Sequence, residues 1–183
     1  MDLIVDKSKT VCFTGHRPDK LPDNGDPRSQ TILVLKSLLR QEIIDAVNDG
    51  YDTFISGMAA GVDMWAAEIV EELMDNNRYL QLYGAYPFRN YDSRYKTTEE
   101  EQLTQRIVSR ASGIVYVSEN YFKGCMFERN RFMADRSSRM IAVVGDYKTG
   151  TGYTVRYAKK LGVDVHILDI NRLFPQMENL SFF

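Results

Sequence analysis

The sequence predicts a single doubly wound α/β domain, a mainly parallel sheet of about six strands flanked by helices. Two observations carry that expectation. Short apolar runs rich in Val, Ile, Tyr and Phe alternate with longer segments of helical period, and strands separated by helices imply right-handed crossovers and a sheet covered on both faces. The length of 183 residues and the 44% apolar content suit one core.

In chain order, TVCFTG (10 to 15), TFISG (53 to 57), LQLYGAY (80 to 86), GIVYVS (113 to 118), MIAVVG (140 to 145) and VDVHIL (163 to 168) have the length and content of buried strands. The first crossover helix, TILVLKSLLRQEIIDAVNDG, sets Ile32, Leu35, Leu38, Leu39, Ile43 and Val47 on one face, and Gly50 stops it. VDMWAAEIVEELMDN, EEEQLTQRIVSRA, FERNRFMADR and YTVRYAKKLG read as the remaining helices. The domain is expected to span residues 1–183 with a core from about 10 to 168. HRPDKLPDNGDPRSQ (16 to 30) is longer than an ordinary strand-to-helix connection and leaves from the end of the first strand. Ligands of open α/β sheets bind at such strand ends, so this segment is expected to be a functional loop.

Composition narrows the function classes. No apolar run approaches the roughly 18 residues of a membrane span, and MDLIVDKSKTV carries acids where a secretory signal would be basic and then apolar. A cytoplasmic protein without a membrane partner is expected. Two cysteines, Cys12 and Cys125, suggest no disulfide framework, and two histidines, His16 and His166, lack neighbours at ligand spacing, so no metal site is expected. A net charge of −2 argues against coating nucleic acid by bulk electrostatics and leaves only local anion sites.

Three glycine turns stand at strand ends. In TGHRP, Thr14 and Gly15 allow close approach to the backbone while His16 and Arg17 add a ring and a cation; the alternative is a plain turn with a solvated arginine. In ISGMAAGVD, a strand ending near Ser56 and a helix starting near Gly61 or Val62 would aim amides at an anion, with Gly57 and Gly61 as clearance. The alternative is a packing turn. Asp63 suits a cap, a ribose or a loop amide better than a phosphate. In YKTGTGYTVRYA, Gly150, Thr151, Gly152 and Thr154 repeat the arrangement, and no Walker lysine-serine pair accompanies them. Arg129, Asn130 and Arg131 read either as an arginine fork with an orienting amide or as a charged exposed helix face. Tyr86, Phe88, Tyr91, Tyr95, Tyr121 and Phe122 fall in loop-like segments where some could stack on a base, although most such rings pack internally.

Taken together, TGHR, ISGMAAGVDMWAAE, FERNRFMAD and TGTGYTVRYAKKLG resemble the SLOG superfamily, and within it the YpsA-like branch of small bacterial proteins. SGMAAGVD resembles the SGxAxGxD motif of Smf-type DNA-processing proteins, and RNRFMAD, an apolar strand and TGTGYT follow in the same order. The resemblance covers residues 10 to 168 and implies a Rossmann-like fold with a nucleotide or nucleotide-derived ligand at the strand ends. Carried over by position, the ligand residues are Gly15, Arg17, Ser56, Gly57, Gly61, Asp63, Arg129, Asn130, Arg131, Gly150, Thr151, Gly152 and Thr154, to which the turn chemistry adds His16. LOG-type phosphoribohydrolases carry PGGxGTxxE, whereas Val155, Arg156 and Tyr157 put no acid at the matching place.

The favoured expectation is therefore a binding module for a small nucleotide-derived molecule. A hydrolase would draw a carboxylate from Asp63, Asp92, Glu119 or Glu128 and an acid from His16. Single-stranded DNA, held by Arg17, Arg89, Arg94, Arg129 and Arg131, is the less favoured partner. Homo-oligomerisation stays open.

Overall fold

The computed structural model describes residues 3–91 and 97–175. Six strands form one all-parallel sheet: β1 Thr10–Gly15, β2 Thr53–Ser56, β3 Gln81–Tyr86, β4 Gly113–Tyr116, β5 Arg139–Val144 and β6 Asp164–Asp169. Their order across the sheet is β4-β3-β2-β1-β5-β6. The chain builds outward from β1 to one edge and then crosses back to the other side. The reversal falls between β1 and β5, which pair from Val11 opposite Arg139 to Gly15 opposite Val143.

Alternation along the strands sorts side chains to the two faces. Val11, Phe13, Phe54, Ile141 and Val143 face one core, while Cys12, Ile55, Met140, Ala142 and Val144 face the other. The first core is covered by α1 Gln30–Asn48 and α2 Val62–Leu73, with Ile107 of α3 Thr98–Arg110 and Ile170 of the short α6 Ile170–Leu173. The second is covered by α4 Cys125–Asp135 and α5 Gly150–Lys160 through Met133, Ala134, Val155 and Ala158. The sheet is thus covered on both faces, as its apolar strands require.

The predicted stripe of α1 is buried at Ile32, Leu35, Leu39 and Ile43, with Ala46 in place of Val47, while Leu38 and Val47 are only partly buried. A 3.6-residue period over nineteen residues rotates the stripe, which brings Ala46 inward at its end. The helix containing TGTGYT starts at Gly150, three residues before the expected Tyr153. The connection from 16 to 30 is folded into two short 3₁₀ turns, Pro18–Lys20 and Pro22–Gly25. Leu21 between them is buried in the first core and anchors the loop. Cys12 and Cys125 are both free and buried, and burial pushes the Cys12 thiol up to about 12. Among the described residues no helix is long and apolar enough to cross a membrane.

Candidate functional site

A cleft of about 390 Å³ opens at the carboxyl ends of β1 and β5, where the strand order reverses. Four segments meet there. The end of β1 and the following turn supply Thr14 through Arg17, with Asp19 and Lys20. The β2–α2 turn supplies Ala59 and Asp63, α4 supplies Met126, Arg129 and Asn130, and the start of α5 supplies Thr149, Gly150 and Thr151. Open α/β sheets hold ligands at such a switch point because the loops on either side of it diverge and leave a crevice.

His16 holds the β1 and β5 ends together. Its Nε2 accepts hydrogen bonds from the amides of Gly145 at 2.9 Å and Asp146 at 3.1 Å. Two donors on one ring nitrogen require that nitrogen to be unprotonated, so the proton resides on Nδ1, which lies 3.4 Å from Thr151 Oγ1. The Thr151 hydroxyl donates in turn to the Gly15 carbonyl at 3.1 Å. Burial lowers the imidazole pKa, and nearby Lys20 lowers it further. The ring is therefore a neutral brace with its basic nitrogen occupied, which does not suit the general-acid role. A folded pKa below the unfolded one means that acidification through about pH 6.5 draws protons to the unfolded chain first and removes stability.

The start of α5 presents backbone donors to the cleft. The Thr149 side chain does not cap the helix; its hydroxyl donates to the Asp146 carbonyl at 2.7 Å. The Tyr153 amide is bonded back to the Thr149 carbonyl, and the amides preceding it have no intrahelical acceptor, so they carry the positive end of the helix dipole. Lys20 is exposed in the same cleft lining, and Arg17 donates from Nη2 to Tyr91 Oη at 3.2 Å. Asp19 brings an opposing charge to the same lining.

At the cleft floor lies a buried ion pair. Arg129 and Asp63 are 4% and 7% exposed, and Nη1 lies 3.8 Å from Oδ2. The guanidinium also donates to the carbonyls of Gly57 and Ala85, and its Nε donates to Asn130 Oδ1 at 2.9 Å. Burial raises the Asp63 pKa, opposed by the Arg129 charge and by a backbone hydrogen bond from Ala59. Asp63 thus serves a loop amide and a buried cation. Asn130 Nδ2 donates to Thr154 Oγ1 at 2.8 Å, which ties α4 to the first turn of α5.

Of the residues expected to bind ligand, Gly15, His16, Arg17, Asp63, Arg129, Asn130, Gly150 and Thr151 line this cleft. Ser56, Gly57, Gly61, Arg131, Gly152 and Thr154 do not. Ser56 Oγ donates to the Asp63 carbonyl at 2.8 Å and accepts from the Met58 amide at 3.1 Å, stapling its own turn. Gly57 leaves room for the Arg129 guanidinium, Gly61 for the His16 carbonyl, and Gly152 for the backbone of Tyr147. These glycines allow one chain segment to approach another. Thr154 Oγ1 donates to the Gly150 carbonyl at 2.9 Å while accepting from Asn130. Arg131 turns to a separate surface with Glu128 and Tyr153. Asp19, Lys20, Ala59, Met126 and Thr149 also line the cleft, and the sequence marks Lys20 only by its place in the long loop after β1.

The other catalytic carboxylate candidates, Glu119 and Glu128, do not line the cleft and instead pair with Arg89 and Arg131. Asp92, Arg94 and Tyr95 lie outside the described residues. No group of three or more His, Cys, Asp or Glu side chains suited to a metal ion occurs among the described residues. Tyr86, Phe88, Tyr91, Tyr116 and Tyr121 pack on one another, with ring centroids 5.5 to 6.1 Å apart.

Gly61 has φ of +92°, and a Cβ there would meet the His16 carbonyl oxygen at 2.6 Å. Gly61→Ala is expected to destabilise the fold by about 1 to 3 kcal/mol from the backbone conformation alone, measured by equilibrium urea unfolding.

The parallel sheet, its switch-point cleft and the backbone donors at one wall define an α/β protein of Rossmann-like class with a polar cleft at the strand ends. Within that class the chain belongs to the YspA SLOG family, whose model, YpsA, matches residues 11–173. A UPF0398 protein of Bacillus cereus is 29% identical over 159 residues, 84% of each chain. A UPF0398 protein of Bacillus thuringiensis is similar to the same extent. Among solved structures, DNA processing protein A from Helicobacter pylori, described by its single-stranded DNA binding mode, aligns with a TM-score of 0.58 and 20% identity, over 94% of this chain and 74% of that one. DNA processing protein A from Streptococcus pneumoniae aligns with a TM-score of 0.58 and 16% identity, over 97% and 62%. At these identities the two structures establish a shared fold.

Proposed function

We propose that this protein is a cytoplasmic binding module, one domain with its core from about residue 10 to 168, that takes a nucleotide or nucleotide-derived ligand. A phosphate of the ligand lies against the α5 amides of Gly150 and Thr151, with Lys20 and Arg17 supplying positive charge. The observation that carries this reading is the cleft at the β1/β5 reversal with the uncapped start of α5 as one wall. Helix N-termini favour anions because unpaired N–H groups and the dipole act together. Isothermal titration calorimetry against AMP, ADP-ribose, NAD and cyclic dinucleotides tests it. Lys20→Ala is expected to weaken binding about tenfold, the low end for a charge-assisted contact because the side chain is exposed. Arg40→Ala, on an exposed α1 ion pair with Glu72, should leave affinity unchanged. A folded sample that binds none of these ligands overturns the reading.

Single-stranded DNA is the second reading, favoured by the fold shared with a DNA-binding protein. The arginines available to it are dispersed. Arg129 is buried, Arg89 pairs with Glu119 and stacks over Tyr116, and Arg131 pairs with Glu128. Fluorescence anisotropy with oligonucleotides at two salt concentrations separates the readings, since phosphate contacts weaken steeply with salt.

A further inference from the structure

A second concave surface is left unused by the reading above. A cavity of about 300 Å³ beside α4 and α5 is lined by Phe122, Lys123, Phe127, Glu128, Arg131 and Tyr153. Phe122 and Phe127 are 42% and 44% exposed, and large rings left in water within a concavity mark a contact surface more often than scattered single ones do. Phe127 packs edge-on against Tyr153 at 5.1 Å between centroids. Tyr153 Oη accepts from Arg131 Nη2 at 2.7 Å, which holds the guanidinium at the end of that ring pair. The buried Nε of Arg131 has no hydrogen-bond partner among the described residues. Two cations, Lys123 and Arg131, outnumber the single acid Glu128 in the lining. Accessible rings with a surplus of cations suit a flat aromatic group bearing an anion, the chemistry of a nucleobase with its phosphate.

The two cavities share α4. Met126, Arg129 and Asn130 line the cleft at the strand ends, and Phe127, Glu128 and Arg131 line the second cavity. Spacings of three and four residues send each set to its own side of the helix. Phe127 stands at the partition, because its Cε1 is 3.7 Å from where a Cβ on Gly150 would be, and Gly150 belongs to the first cleft.

We infer that the second cavity is a subsite for a second nucleotide unit, so that the preferred ligand is a dinucleotide with one phosphate at α5 and one base against Phe122 and Phe127. This rests on the cleft reading for its first half and on the second cavity alone for its second. The whole chain is titrated with AMP and with the 5′-phosphorylated dinucleotide pApA, by calorimetry and by NMR of backbone amides and aromatic rings. The dinucleotide is expected to bind at least about tenfold more tightly than AMP, because the second contact becomes intramolecular. Arg131→Gln should reduce the pApA affinity to that of AMP. Phe127→Leu, which keeps an apolar side chain beside Tyr153, should do the same if Arg131→Gln disturbs folding. Ring signals of Phe127 and Tyr153 should shift with AMP even in Lys20→Ala. If the Gly150 and Thr151 amides shift while those rings stay still, and pApA binds no tighter than AMP, the subsite is overturned and the cleft reading stands. If the rings shift and the amides do not, the subsite stands and the cleft reading falls. Still signals in both overturn both.

Discussion

Replacing Gly57 by valine is expected to lower the melting temperature by roughly 10 °C and to weaken the proposed nucleotide binding of the molecules that remain folded. A Cβ at this position would fall on the Arg129 guanidinium and the Asp63 carboxylate. The guanidinium would have to leave the space beneath the β2–α2 turn, losing its hydrogen bonds to the Gly57 and Ala85 carbonyls and separating from Asp63. Breaking a buried pair costs about 3 to 5 kcal/mol because an uncompensated charge stays behind. Each kcal/mol corresponds to about 2 to 4 °C for a chain of this size. Affinity falls through Arg129 and Asp63, which line the cleft, whereas Gly57 does not. Differential scanning calorimetry together with ligand titration checks both effects. An unchanged melting temperature with lost affinity would mean that Gly57 meets the ligand itself and that the Arg129 packing is not its role.

Arg129→Ala should destabilise the protein by a similar amount, about 3 to 5 kcal/mol near neutral pH, with a pH signature that a simple cavity would lack. Burial already raises the Asp63 pKa, and the Arg129 charge is the largest influence opposing it. Removing that charge raises the folded-state value further above the unfolded value near 3.8. A raised folded pKa means that the native state binds the proton more tightly, so its contribution is present at low pH and is lost as pH rises through the folded value. The stability gap between Arg129→Ala and the natural chain should therefore narrow as pH falls from 7 toward 5. His16 acts in the opposite sense, but it is common to both proteins and cancels from the gap. Asp63→Asn added to Arg129→Ala should recover part of the loss at neutral pH by removing the stranded carboxylate. Urea unfolding of the single and double variants across this range measures both effects; a gap independent of pH would show that Asp63 is not the group left unpaired.

Much of this architecture was legible because strands and helices write their periods into the chain. The run TVCFTG coincides with β1, and the other five strands begin and end within two residues of the apolar runs. The exceptions have local causes. Gly150, Thr151 and Gly152 are weak helix formers, so periodicity began the helix at Tyr153; the first turn tolerates such residues because its N–H groups need no intrahelical partner. α6 spans only four residues, too few for a period to register. The β1 turn and the start of α5 were legible as walls of a candidate site because a strand end followed by small residues and a helix start is itself a local pattern.

The sequence alone determined the parallel α/β order, the strand ends as the place for a candidate site, and the family, because each depends on the order of residues along the chain. Tertiary structure alone decided what each small or charged residue faces. Glycine in ISGMAAGVD reads the same whether a phosphate or another segment fills the space beside it, and only the arrival of Arg129 from 72 residues away fills the space at Gly57. Likewise, Arg129 and Arg131 are two residues apart, and the helix turns one inward to Asp63 and the other outward to Tyr153. About 200° of rotation separates them at 3.6 residues per turn, and which of the two directions meets the core is set by how α4 packs on the sheet.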